Sequence, residues 1–203
     1  MNGGSENATY FFQFGYLQEE GALKFTGYDR YNLRSNVTVD VNDWLTIGEN
    51  AGLTYSEDYG DQSNNNEATV ISDVYRMQPI VPIYDIMGAY GGTRASNTGN
   101  GTNGLWSLDF NQYDQTNGID LSGSVFANAD VTENIRLRTN VGFNYSGNDI
   151  KDYTYVQVAH AERDQFDGLT EAANFSRQWN WTEYRRIYEY VCGCTRCYSA
   201  GGS

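Results

Sequence analysis

The chain has 203 residues, a formal net charge of −13 and only two lysines, Lys24 and Lys151. A nucleic-acid surface needs clustered Lys and Arg, and the arginines here are scattered apart from Arg185–Arg186, so a phosphate backbone is excluded as a partner. Aromatics make up 15%, with 17 Tyr, 22 Gly and only 2 Pro, which points to an all-β protein with many turns.

No apolar run approaches the roughly 18 residues of a membrane helix, a test that a β-barrel escapes because its strands are short and only half apolar. The opening MNGGSENATYFF has neither the basic nor the apolar region of a signal peptide. Alternation starts at Ala8 without a lead-in, and the expectation is a chain that begins partway through a longer one. Along 8–17, Ala8, Tyr10, Phe12, Phe14 and Tyr16 share one parity opposite Thr9, Gln13 and Gly15. Leu33, Val37, Val39 and Val41 then alternate with Asn32, Arg34, Asn36 and Asp40. After a turn at 41–43, Leu45, Ile47, Ala51, Leu53 and Tyr55 alternate with Thr46, Asn50 and Thr54. A period of two marks strands with one apolar and one polar face.

The stretch 127–146, ANADVTENIRLRTNVGFNYS, aligns without gaps on 37–56, VTVDVNDWLTIGENAGLTYS. The spacing predicts antiparallel strands over 8–17, 30–40, 44–56, 119–131, 135–147 and 172–182, joined as neighbours. The turns at 41–43 and 132–134 are short, and the links at 18–29, 57–118 and 148–172 are long. That alternation is the pattern of outer-membrane barrels. Tyr10, Tyr16, Tyr55 and Tyr145 fall near strand ends, as a membrane-interface girdle would, although aromatics also cap soluble sandwiches. Arg34, Asn50, Arg136, Arg138 and Asn140 lie on the polar face, the lumen side of a barrel. Val37, Val39, Leu45, Leu137 and Phe143 lie on the lipid side. Glu49 breaks the apolar parity, so it sits near the rim or has a screening partner.

The segments GGSENATYFFQFGYLQEEG (3–21), YDRYNLRSNVTVDVNDWLTIG (28–48), SDVYRMQPIVPIYD (72–85) and RLRTNVGFNYSGNDIKDYTY (136–155) resemble the SusC/RagA-like family of TonB-dependent outer-membrane transporters. The resemblance runs in order from Asn2 to about Arg185. It implies a barrel of about 22 strands with a plug in its lumen, coupling to TonB, a SusD-like lipoprotein lid, and uptake of oligosaccharides or, in some members, peptides. It also implies the outer membrane of a Gram-negative bacterium as the location and outer-membrane lipid as the surrounding. No TonB box or plug is visible in the chain, and about six strands are too few to close such a barrel. The expectation is therefore an internal piece of the barrel domain over 1–184.

No residues form a catalytic constellation, and neither an enzyme activity nor a cofactor is expected. His160 is a lone loop histidine. Asp58, Asp61, Asp109 and Asp114 lack the spacing of a calcium loop and read as a solvated acidic surface, so no metal is assigned. In the 57–118 link, Tyr59, Tyr75, Tyr84, Tyr90, Trp106 and Tyr113 are candidates to stack on a sugar ring, by the family resemblance; large loops also use such residues to pack themselves. Pro79 and Pro82 disfavour a central strand there. The tail VCGCTRCYS (191–199) holds all 3 cysteines without a fourth metal ligand. Shifting the frame by one base turns each Cys codon into one for Val or Ala, which restores an alternating strand. The tail 185–203 is therefore read as out of frame or disordered. The leading reading is a fragment of a SusC-like transporter. The alternative is a secreted carbohydrate-binding β-sandwich, whose apolar face would be a core.

Overall fold

The computed structural model describes residues 1–60, 69–191 and 194–201, with side chains as far as Ile187. Eight strands form one antiparallel sheet in sequence order. They are β1 (Asn2–Ser5), β2 (Ala8–Glu20), β3 (Gly27–Asn42), β4 (Leu45–Tyr59), β5 (Gln115–Thr132), β6 (Ile135–Thr154), β7 (Gly168–Val191) and β8 (Cys194–Gly201). The six expected strands are β2 to β7, in the expected order and pairing. The count of about six is corrected to eight. β1, with the sequence NGGS, has no alternation to reveal it; it pairs through its backbone alone, from Asn2↔Phe11 to Ser5↔Ala8.

Every strand also runs further than its alternation. Alternation ends where both faces become polar, as in β6 beyond Gly147, but the backbone ladder needs no apolar face. It continues to Thr154↔Gly168. Tight connections join β1 to β2, β3 to β4 and β5 to β6 at one end of the sheet, and residues 21–26, 60–114 and 155–167 connect strands at the other.

The repeat seen in the sequence is a repeated hairpin. Both copies carry a bulge, between Asp40 and Asn42 in one and between Asp130 and Thr132 in the other. Equivalent side chains close both turns: Asn42 Oδ1 accepts from Trp44 N at 3.1 Å, and Thr132 Oγ1 accepts from Asn134 N at 3.3 Å. Asp40 accepts from Thr46 Oγ1 at 2.6 Å, while Asp130 holds Arg136 through Nε at 2.5 Å and Nη2 at 2.8 Å. Each bulge also ties its hairpin to the turn before it, with Asp40 N donating to Asn7 O and Asp130 N to Trp44 O, both at 2.8 Å.

Register separates the two faces. One face carries the rows Tyr10–Val37–Glu49–Val125–Val141–Trp181 and Phe14–Leu33–Leu53–Leu121–Tyr145–Arg177. The rings of Tyr16, Tyr31 and Tyr55 form another row, with centroids 4.9 and 6.2 Å apart. Nothing among the described residues covers this face: Phe14 is 69% exposed and Trp179 78%. Glu49 lies between Val37 and Val125, and Ser35 Oγ donates to its Oε1 at 2.7 Å, so the expected partner is a hydroxyl on the neighbouring strand.

Buried side chains gather elsewhere. Val70, Asp73, Thr93, Asn103, Ser107, Asp114 and Gln157 are the buried non-glycine residues among those described, and all belong to the two longest connections.

Within the tail 185–203, the described backbone over 185–191 and 194–201 is paired as strand. β7 runs to Val191, and β8 pairs with it from Tyr184↔Gly201 to Val191↔Cys194. An edge strand presents free N–H and C=O groups that pair with a following segment whatever its side chains. Cys192 lies outside the described residues. Among the described residues of this hairpin, the acidic bulge of the two earlier hairpins does not recur. Glu183 and Arg185 fall on the apolar side, opposite Thr139 and Leu137.

Candidate functional site

Two surfaces carry the expected site residues. On the polar face of the sheet, Arg34 and Asn50 line a depression of about 380 Å³ with Ser122, Ser124 and Asn144. A neighbouring one of about 620 Å³ is lined by Arg136, Arg138, Asn140, Asn128 and again Ser124. The five residues assigned to the polar side therefore share one face. Their charges are partly engaged, Arg136 by Asp130 and Arg138 by the Phe126 ring, which its guanidinium overlies at 4.8 Å.

The second surface is built by the 60–114 and 155–167 connections. Gly60 N donates to Asp114 O at 2.9 Å and so closes the neck of the first, with Gly60 at φ +87°, where a side chain would be strained. Asp114 also ties that neck to β6, since its Oδ1 accepts from Tyr153 N at 2.7 Å. Helix α1 (Val70–Arg76) starts at Thr69, whose Oγ1 accepts from Ser72 N at 3.1 Å. Helix α2 (Gly104–Phe110) starts at Asn103, whose Oδ1 accepts from Leu105 N and Trp106 N at 3.1 and 3.3 Å. The same side chain donates through Nδ2 to Ile83 O at 2.8 Å and Gly91 O at 2.9 Å. Asn103 thus joins α2 to the 83–91 turn. The second connection docks through Arg94 N to Ala159 O at 2.9 Å and Ala161 N to Thr93 Oγ1 at 3.4 Å. His160 serves this joint, with Nε2 3.0 Å from Asn100 O and Nδ1 accepting from Glu162 N at 3.1 Å.

Between the two connections lies a groove of about 550 Å³ walled by Tyr90, Trp106 and Phe110 on one side and by 156–159 on the other. Its rings form a chain: Tyr84–Tyr90 at 5.3 Å, Tyr90–Phe110 at 6.3 Å, Trp106–Phe110 stacked at 4.9 Å and Phe110–Tyr155 at 5.1 Å. Tyr90 donates its hydroxyl to Asp109. That bond, followed by burial, pushes its pKa up to about 12, because ionisation would set a phenolate against a carboxylate.

Of the six aromatics singled out in the sequence, Tyr84, Tyr90 and Trp106 come together here. Tyr75 stands 86% exposed on α1, Tyr113 is exposed in a 3₁₀ turn, and Tyr59 ends β4 with its ring over Gly27. Phe110, Tyr155 and Gln157 were missed. Phe110 had a signal, since it follows Trp106 at the four-residue spacing that stacks side chains on a helix. Asp61 lies outside the described residues. Among those described, no group of three or more His, Cys, Asp or Glu is placed to hold a metal ion, and no helix is long and apolar enough to cross a membrane.

No family model matches the chain. It is similar to curated proteins of Formosa agariphila. It is 24% identical to TonB-dependent receptor P39 over 86% of this chain and 16% of that protein. It is 30% identical to TonB-dependent receptor P26 over 45% and 9%. It therefore spans a small fraction of these relatives' length. Among solved structures it resembles the RagAB peptide importer in its closed-closed state, with a TM-score of 0.66 and 18% identity over 94% of this chain and 21% of that one. A second RagAB peptide transporter structure gives the same TM-score at 15% identity. The similarity to TonB-dependent receptors is at family level, and the fold is an antiparallel meander of the kind found within those larger proteins. These named relatives are receptors and transporters, not enzymes.

Proposed function

We propose that the chain is part of the wall of an outer-membrane β-barrel that imports nutrients in a TonB-dependent manner. The observation that carries this reading is the two-sided sheet. Its apolar band runs from Leu45 to Tyr55 in β4 and from Ile135 to Tyr145 in β6, which matches the 9–11 or so residues a bilayer-spanning strand needs. It stays exposed across six strands, with tight turns at one end and long connections at the other. A secreted sandwich would need a second layer over that face. The polar face, with its Asn, Ser and Arg depressions, then lines the lumen, and the aromatic groove opens among the extracellular loops.

TonB supplies the energy in this reading, and a SusD-like lipoprotein covers the outer mouth. The substrate class is an oligosaccharide, supported by ring faces that suit stacking on sugars. A peptide is the second reading, because the structural neighbours are the RagAB peptide importer and the RagAB peptide transporter. Cells deleted for the gene are expected to lose TonB-dependent uptake of labelled oligosaccharides while peptide uptake continues. Loss of peptide uptake alone favours the second reading, and unchanged uptake of both refutes import. For the tail from about Arg185 on, a shifted frame is our reading, since a forward shift of one base turns each Cys codon of 191–199 into one for Val or Ala. Genomic DNA continuing in frame through Ser203 would end that reading.

A further inference from the structure

One buried polar group in the groove has no partner. Gln157 lines the groove and is 6% exposed, yet neither its amide Nε2 nor its Oε1 is hydrogen-bonded among the described residues. Buried side-chain amides are nearly always paired, because their lost hydration is otherwise not repaid. Other buried polar side chains nearby follow the rule: Asn103 makes four bonds, and Thr93 Oγ1 donates to Gly101 O at 3.2 Å. Gln157 is the exception, and its backbone carbonyl already accepts from His160 N at 3.0 Å.

The amide offers two N–H donors and one acceptor oxygen in a single plane. Tyr90 and Trp106 line the same groove, with one face of Trp106 stacked on Phe110 and the other left without a ring partner among the described residues. The groove's two charged side chains are tied to loop backbone. Asp85 Oδ1 accepts from Met87 N at 2.8 Å and Ala89 N at 2.9 Å, and Arg94 Nη1 donates to Val158 O at 3.4 Å. Apolar faces beside a planar donor–acceptor pair fit a ring that is apolar on its faces and hydroxylated around its edge. From this geometry we infer that the groove is a subsite for one pyranose ring of a neutral oligosaccharide. The ring stacks on Trp106 and Tyr90, and the Gln157 amide takes two neighbouring hydroxyls. The amide is shut off from solvent in the present arrangement, so binding parts the 89–94 and 156–159 segments around it. The inference rests on the oligosaccharide reading above and assigns the residues that carry it out.

The test is calorimetry on the full-length protein in detergent, titrated with neutral gluco-, galacto- and xylo-oligosaccharides and with neutral tripeptides. Wild type is expected to bind at least one of the sugars. Gln157→Leu should weaken that binding roughly ten-fold or more, the loss of both hydrogen bonds of the amide. It should not lower the melting temperature, since it removes an amide with no partner to lose. Trp106→Phe should retain most of the affinity, because it keeps a ring face. Sugar binding unaltered by Gln157→Leu overturns the subsite and leaves the oligosaccharide reading standing. Wild type that binds no sugar, or binds only the tripeptides, overturns both.

Discussion

Val141→Arg is expected to block assembly into the outer membrane, while Asn140→Leu, one residue away, is expected to leave it nearly unchanged. Val141 lies in the middle of the apolar band of β6, flanked by Val125 and Trp181. In the proposed barrel a guanidinium there enters hydrocarbon, at about 2–4 kcal/mol near the bilayer midplane and less toward the rims. Asn140 lies on the other face, between Phe126 and Thr182. In the same reading a leucine there faces the lumen and should cost within about 0.5 kcal/mol. Heat-modifiable migration of the folded protein on gels, measured for both variants, checks the pair. Equal effects, or the reverse order, would mean the faces are assigned the wrong way round.

Asn103→Ala should unfasten the large connection and leave the sheet intact. Its side chain caps α2 and also satisfies the carbonyls of Ile83 and Gly91. Loss of the cap costs about 1 kcal/mol, and the buried Gly91 carbonyl left without its donor costs about 1–3 kcal/mol more, while Ile83 O keeps its bond from Gly91 N at 2.8 Å. The sum, about 2 kcal/mol or more, is large for a small loop core built on Val70 and its neighbours. Limited proteolysis of intact cells should then cut within 69–114 in the variant and not in wild type, with heat-modifiability unchanged in both. A loop as resistant as wild type would show that Asn103 does not hold it.

The sheet was legible in the sequence because apolar and polar residues alternate with a period of two, and a one-residue slip would exchange every side chain between faces. Leu33 to Val41 and Ile135 to Tyr145 carry that signal in full. It fails where both faces are polar: the ends of β5 and β6 extend through Asn, Asp and Thr, held by backbone bonds that leave no periodic trace. Glu49 was visible as a departure, but its partner Ser35 emerges only from the β3–β4 register. The groove was legible in part. Tyr84, Tyr90 and Trp106 lie on one connection, whereas Gln157 and Tyr155 come from another and meet them only through docking at Arg94 and Ala159. Local patterns do not encode that contact. The caps at Thr69 and Asn103, each just ahead of a helix, had a local signal and were overlooked.

The central claim is that successive residues of β6 alternate between lipid and water. A nitroxide scan across residues 135–147 of the full-length protein in outer membranes measures this, comparing collisions with oxygen, which concentrates in lipid, with those of a water-soluble nickel complex. The account predicts oxygen maxima at Leu137, Val141, Phe143 and Tyr145 and nickel maxima at Arg136, Arg138, Asn140 and Asn144. Odd-numbered positions shielded from both reagents, with even-numbered ones open to nickel, would reveal a soluble sandwich core and contradict it.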